Sequence, residues 1–141
     1  MPVIARELDV SERRRITSLD AQNVAAGTYK IEIIPGAHQI DAVRVAATGL
    51  TTTPTLQLIA QRFIAGAGLT NINIGSALTL QALGTSGVQT YVLPAAGSSL
   101  LQLAEGDILS VTTASGGVTA LSVACVVRTL QDIKSFFSVA P

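Results

Sequence analysis

The feature that most constrains the fold is a series of short apolar stretches, separated by glycine and proline at intervals of about ten residues. Between Tyr29 and Ile33, apolar and charged residues alternate strictly, which places the apolar side chains on one face of a strand and the charged ones on the other. Pro35 and Gly36 then end this strand, because proline cannot donate to a ladder and glycine accepts a turn.

Stretches of the same kind recur along the rest of the chain. They predict further strands at residues 39–47, 55–64, 78–83, 88–93, 100–103, 108–113 and 118–130. Residues 66–75, which hold several glycines, are predicted to form a loop with a brief extended piece. About eight short strands, with no helical period outside the N-terminal segment, predict an all-β chain. The preferred architecture is an antiparallel β-sandwich of the jelly-roll type.

Charge divides the chain into two parts. Eight of the eighteen Asp, Glu, Lys and Arg residues lie within the first twenty positions. We therefore predict an extended N-terminal arm over residues 1–20, solvated or seeking a partner, and a jelly-roll-like β domain with a C-terminal tail over residues 21–141. Ser11 is a plausible N-cap, so residues 11–19 could form one or two helical turns that become ordered on binding.

The sparse charge of residues 21–141 favours burial of their surface in an assembly. The last strand supports this expectation, because one face carries Leu121, Val123, Cys125 and Val127, and the other carries only small or apolar side chains. Both faces of that strand are expected to be covered, and the chain is expected to form homo-oligomers. A monomer with a surface of Thr, Ser and Gln is the alternative. Cys125 is the only cysteine and is expected to be a buried thiol.

The side chains that usually perform chemistry are few, and we predict that the chain is not an enzyme and has no cofactor. His38 is the only histidine, which excludes a His-rich metal site, and it is predicted to lie in a loop. Glu105 and Asp107 are too close in sequence to face each other across a cleft. Instead, Gly106 fits a left-handed turn position and Asp107 is expected to cap backbone amides.

Neither nucleic acid nor a membrane is an expected partner. The formal net charge is zero, no apolar run approaches the roughly eighteen residues that span a bilayer, and the N-terminus lacks the apolar core of a signal peptide. The arginine triplet 13–15 could touch phosphates, but acidic residues around it favour a solvated or protein-docking segment. The predicted partner-binding residues are Val3, Ile4, Arg6, Arg13, Arg14, Arg15, Phe136 and Phe137.

Four motifs carry a family resemblance over roughly residues 28–130. They are the strand end Ile-Pro-Gly at 34–36, Val-Leu-Pro-Ala-Ala-Gly at 92–97, Ala-Glu-Gly-Asp-Ile-Leu-Ser-Val at 104–111, and the last strand running to Val127 and Arg128. Together they resemble the small jelly-roll decoration (cement) proteins of tailed-bacteriophage capsids.

The resemblance implies a homotrimer on the outer capsid surface of the virion, made in the host cytoplasm and bridging neighbouring major capsid proteins, with no catalytic residues. The arm is then its expected contact with the shell, an interpretation that comes from the charge contrast alone. The alternative is a glycan- or host-receptor-binding β-sandwich module of a phage fibre or tail.

Overall fold

The computed structural model describes residues 14–80 and 88–130, which form nine β-strands and one short 3₁₀ helix. The strands are β1 Arg14–Val24, β2 Gly27–Ile33, β3 His38–Thr48, β4 Thr55–Ile64, β5 Gly68–Thr79, β6 Gln89–Thr90, β7 Gln102–Leu103, β8 Ile108–Ala114 and β9 Val118–Thr129, and the 3₁₀ helix is Ser99–Leu101. Within the described ranges, no helix has the length and hydrophobicity needed to cross a membrane.

The strands form two sheets with antiparallel pairing throughout. Sheet one has the order β1-β9-β3-β6, with β7 also paired to β3, and sheet two has the order β2-β8-β4-β5. The short strands β6 and β7 lie on the same edge of β3 and together stand for one strand. Each sheet then has four strands, and the order in which the chain visits them is that of a jelly roll. The predicted fold class is confirmed.

The core lies between the two sheets and consists of alternate side chains from both. In sheet one, Val123 on β9 is in register with Leu19 on β1 and Val45 on β3. In sheet two, Leu58 on β4 is in register with Val111 on β8. Except for Leu19, which is partly buried, these side chains are fully buried. Removal of their apolar surface from water is the main force that holds the two sheets together.

Residues 14–20, which we had placed in the arm, form the first part of strand β1. They pair with β9 from Arg14 opposite Arg128 to Asp20 opposite Ser122. The expectation of helical turns was therefore wrong from Arg14 onward, and residues 11–13 lie outside the described part of the chain. The physical reason is that Thr17 and Leu19 turn inward onto the core while the side chains between them face out, which is a strand period.

Strand β5 occupies most of the stretch 66–75 that was predicted as a loop. Ile72 and Ile74 face the core, whereas Asn71 and Asn73, which alternate with them, are exposed. Gly75 has φ +72°, a left-handed conformation that suits glycine, and lies next to the register shift between Leu56 and Leu58 on β4. The glycines of this stretch mark a hairpin turn and a bulge within a strand.

Candidate interaction surfaces

The two described ends of the chain lie side by side at one end of the sandwich, which we call the tail end. Arg14, at the start of β1, is in register with Arg128 near the end of β9. The β2–β3 connection, the 104–107 turn and the β4–β5 hairpin lie at this same end, because Ile33 and Gln61 are both in register with Ile108. Residues 1–13 and 131–141 are therefore joined to the sandwich at neighbouring points.

Arg15, a predicted partner-binding residue, is already engaged within the chain. Its guanidinium donates two hydrogen bonds to Glu32 on β2, from NH1 to Oε2 at 2.7 Å and from NH2 to Oε1 at 2.6 Å. This ion pair joins sheet one to sheet two. The NH2 group also lies 3.3 Å from Nε2 of His38. The charge of Arg15 is thus matched inside the fold before any partner arrives.

His38 is not a loop residue, which corrects the prediction made for it. It is the first residue of β3, and only 4% of its surface is exposed. Its Nδ1 lies 2.8 Å from the carbonyl oxygen of Gly36. Because that oxygen can only accept, Nδ1 carries a hydrogen, and Nε2 faces the Arg15 guanidinium, which can only donate. The imidazole therefore serves the local structure of the tail end.

Arg14 differs from Arg15 because 63% of its side chain is exposed. Its Nε lies 3.4 Å from Oδ2 of Asp41, and NH2 of Arg128 lies 3.5 Å from Oδ1 of the same carboxylate. Asp41 sits at a register shift of β3. Among the described residues, Asp41 Oδ2 and Arg128 Nε are buried without a hydrogen-bond partner. Two guanidinium groups thus share one carboxylate at the surface where the terminal segments begin.

The remaining predicted partner-binding residues lie outside the described ranges, and their role stays a prediction. Of the predicted set, the structure places two at the tail end, on opposite faces of β1: Arg14 points outward and Arg15 toward sheet two. The residues outside the described ranges are Val3, Ile4, Arg6, Arg13, Phe136 and Phe137.

The 104–107 turn has the predicted structural role. Gly106 has φ +86°, and Oδ2 of Asp107 accepts a hydrogen bond from the backbone amide of Ala104 at 2.8 Å. The structure adds a partner, because Arg62 donates from Nε to Oδ1 at 2.9 Å and from NH2 to Oδ2 at 2.7 Å. No sequence pattern indicates this contact, since it depends on the pairing of β4 with β8.

Asp107 is buried, with 2% of its surface exposed, and its carboxylate binds the Arg62 guanidinium and the Ala104 amide. Burial alone would raise the pKa of its carboxyl, but the hydrogen bonds from Arg62 and from the Ala104 amide outweigh burial. The net result is a pKa of Asp107 below its ordinary value. Glu105, by contrast, is exposed, so the two acidic residues of this turn have separate environments.

The outer face of sheet one is built from small side chains. On β9, Ala120, Ala124 and Val126 are partly exposed and Ser122 is exposed. Strand β9 is central in its sheet, as predicted, since it pairs with both β1 and β3. Its outer face, however, is not covered by any described part of a single chain. Coverage of that face, which we expected, stays a prediction.

Cys125, the one cysteine of the sequence, packs in the core, as expected. Cys125 is fully buried, and burial, assisted by the negative charge of Glu32, raises the pKa of its thiol to about 12. Residues 14–80 and 88–130 contain no cluster of three or more His, Cys, Asp or Glu suited to a metal ion.

A shallow groove of about 340 Å³ lies at the end of the sandwich opposite the tail end. It forms where the β1–β2 and β3–β4 connections meet the β8–β9 turn. The threonines there bind backbone carbonyls: Thr52 Oγ1 donates to Gly116 at 2.5 Å, and Thr119 Oγ1 donates to Gly49 at 3.3 Å. These contacts hold the β3–β4 connection and the β8–β9 turn together.

Solved structures of phage capsids contain chains with this fold. A chain of the acidic stable capsid of Helicobacter pylori bacteriophage KHP30 aligns with a TM-score of 0.56 and 14% identity, covering 87% of this chain and 92% of that chain. A chain of the Ralstonia phage GP4 capsid aligns with a TM-score of 0.55 and 16% identity, covering 88% of this chain and 89% of that one.

At such low identity, the likeness concerns the fold. No protein-family model matches the sequence, and a search of curated proteins finds no match. The chain is thus a jelly roll that shares its architecture, over nearly its whole length, with chains found in the capsids of these two phages.

Proposed function

We propose that this protein is a structural virion protein that decorates the outer capsid surface of a tailed bacteriophage. It acts as an oligomer, a homotrimer by the family resemblance, and stabilises contacts between major capsid proteins. The observation that carries the proposal is the alignment with phage capsid chains, which covers 92% and 89% of their length. The same alignments cover 87% and 88% of this chain. A chain of this architecture can pack its sheet faces and edges against other protein subunits in a capsid.

The tail end is the part of the molecule that we assign to shell binding. Both terminal segments start there, on neighbouring strands, and the exposed guanidinium of Arg14 lies beside them. The N-terminal segment, residues 1–13, carries the charged residues Arg6, Glu7, Asp9, Glu12 and Arg13. The C-terminal segment, residues 131–141, carries two adjacent phenylalanines, a residue type that commonly anchors protein interfaces.

Multivalency explains how short segments can hold a shell. If three subunits associate, the trimer presents three N-terminal and three C-terminal segments toward the capsid. Once one segment binds, the others bind at the high effective concentration set by the sandwich, so weak single contacts give a strong total attachment. Arg6 and Arg13 would add contacts that depend on ionic strength.

Cosedimentation with capsid shells of the phage that encodes this chain, prepared without it, tests the proposal. The full chain should sediment with the shells. Deletion of residues 1–13, which leaves β1 intact, should greatly reduce the bound fraction. Replacement of Arg6 and Arg13 by alanine should weaken binding most at low salt. Arg44→Ala is the matched control, because Arg44 is an exposed arginine on the outer face of sheet one.

Each outcome separates the role from the contact site. If the full chain does not bind such shells, the decoration function is refuted. If deletion of residues 1–13 leaves binding unchanged, decoration stands and the assignment of that segment fails. Binding to host-surface glycans that survives this deletion, with no binding to shells, would favour the alternative of a receptor-binding module.

A further inference from the structure

A long stretch of the chain has no formal charge, and the fold gathers its described residues on one side. No Asp, Glu, Lys or Arg occurs from Phe63 to Ala104. Strand β5 is the edge of sheet two, and β6 and β7 lie at the matching edge of sheet one. The hydroxyl of Tyr91 donates to the carbonyl of Ile74 at 2.6 Å, which holds the segment after β6 against β5. We call β5, the β4–β5 turn and residues 88–101, together with Phe63 and Ile64, the uncharged side.

The uncharged side also carries most of the exposed apolar side chains. Of the eight large apolar side chains that are exposed in the described residues, six belong to it. Phe63 and Leu69 are paired across the β4–β5 hairpin, so they extend from the same face as one apolar unit. The six residues are Phe63, Ile64, Leu69, Val88, Val92 and Leu100.

The opposite side of the sandwich carries charged residues. It is formed by β1 and β2, the other edges of the two sheets. These two strands carry Arg14, Arg15, Asp20, Lys30 and Glu32. The two lateral sides of the molecule therefore differ sharply: one has five charged residues on its edge strands, and the other has none.

This difference matters because an exposed edge strand invites pairing with another chain. Proteins commonly protect such edges with charged residues or proline. Strands β1 and β2 follow this rule. Strand β5 is twelve residues long, pairs only with β4 among the described strands, and contains neither a charged residue nor a proline. An edge of this kind, flanked by exposed apolar side chains, is a surface suited to burial.

We propose that the uncharged side is the subunit interface, and that the uncharged sides of the other copies of this chain cover it around the symmetry axis of the trimer. The inference rests on the oligomer of the proposed function and specifies its contact surface. Nucleic acid or an anionic membrane would find no counter-charge there. A charged protein surface would lose the hydration of its charges without compensation. Uncharged sides that meet at this axis bury apolar area and no formal charge, so the surface fits further copies of itself.

Charge insertion with a matched control tests this interface. The test variants are Phe63→Lys and Val92→Lys, at side chains that are 75% and 71% exposed and therefore tolerate lysine in the folded subunit. The control is Ile16→Lys, at a side chain that is 70% exposed on β1 of the charged side. Molar mass is measured by light scattering over a range of concentrations, with circular dichroism to verify folding.

The unmodified chain and Ile16→Lys should be oligomeric at micromolar concentration. Each test variant should raise the dissociation constant at least about 30-fold, because a lysine ammonium is then buried at the centre of an apolar contact. The inference is overturned if the unmodified chain is a monomer. It is also overturned if Ile16→Lys dissociates the oligomer while Phe63→Lys and Val92→Lys do not, which would favour the outer face of sheet one.

Cosedimentation with shells separates this inference from the proposed function. If Val92→Lys remains an oligomer but no longer binds shells, the shell covers the uncharged side, so the proposed interface is wrong while decoration stands. If the unmodified oligomer dissociates as expected on charge insertion but never binds shells, decoration fails and the interface stands.

Discussion

Tyr91 replaces a hydrogen bond of the β4–β5 ladder with its own hydroxyl. The amide of Leu58 donates to the phenol oxygen at 3.1 Å, and the phenol donates to the carbonyl of Ile74 at 2.6 Å. Gln57 Nε2 donates to the same oxygen at 2.9 Å. Burial raises the pKa of Tyr91, and the bond from the Leu58 amide only partly opposes this rise. The hydroxyl therefore keeps the proton that it donates.

Tyr91→Phe should lower the free energy of unfolding by about 1–3 kcal/mol, because the Leu58 amide and the Ile74 carbonyl lose their partner in a buried site. Urea denaturation measures the change. Tyr29→Phe is the matched control, since the Tyr29 hydroxyl bonds the exposed backbone of Ala25. Its cost should be smaller. Equal losses for the two variants would contradict the role assigned to Tyr91.

Asp107 should make stability depend on pH. Its pKa in the folded chain is lowered, so its contribution is fully present above the ordinary pKa of an aspartate in the unfolded chain and is lost as pH falls through the folded value. Asp107→Asn should cost about 1–3 kcal/mol at neutral pH, because the bonds from Arg62 lose their charge assistance. Denaturation curves at several acidic pH values should show this cost shrinking as pH falls.

Glu105→Gln is the control for that experiment, because Glu105 is exposed in the same turn. It should leave stability nearly unchanged at neutral pH. A cost of Asp107→Asn that stays constant down to strongly acidic pH would show that the carboxylate charge contributes nothing.

At the scale of elements, the start of β1 decides where the chain can be shortened. Deletion of residues 1–13 removes no described strand residue and should leave the melting temperature nearly unchanged. Deletion of residues 1–20 removes most of β1, with the inward side chains of Thr17 and Leu19, and leaves the edge of β9 unpaired, so the melting temperature should fall strongly. Thermal unfolding of both truncated chains measures the difference. A stable fold without residues 1–20 would show that β1 is dispensable.

The residue pattern predicts those strands whose own sequence has a clear apolar period, without knowledge of their neighbours in the sheet. Strands β2, β8 and β9 follow from apolar alternation or from a long apolar run. Strand β1 was missed because its inward positions include Thr17 and Ala21, which give a weak period, and because charged residues flank them. Strand β5 was predicted only as separate short pieces within and after a loop, because glycine is common in both loops and bulges. In both cases the strand is stabilised by pairing with its neighbour, β9 for β1 and β4 for β5, and the sequence does not indicate which strands will pair.

At the scale of the whole molecule, charge is distributed by side as well as along the chain. The N-terminal concentration of charge was visible in the sequence. The uncharged stretch from Phe63 to Ala104 was visible as well, but the sequence did not indicate that its strands would lie on one side of the fold. Only the sheet order shows that β5, β6 and β7 share one lateral side, opposite β1 and β2. The Arg62–Asp107 pair was hidden for the same reason, because it depends on which strands are neighbours.

The shared exit of the two terminal strands has a mechanical consequence. Because β1 and β9 are antiparallel neighbours whose outer ends coincide at Arg14 and Arg128, a force that pulls the two termini apart loads their ladder one hydrogen-bond pair at a time, like opening a zipper. A force that pulls both termini together against the rest of the sandwich loads many pairs at once. A subunit bound through both termini to one rigid surface would thus resist detachment. If the two sites that hold the termini moved apart, β1 would separate from β9 first.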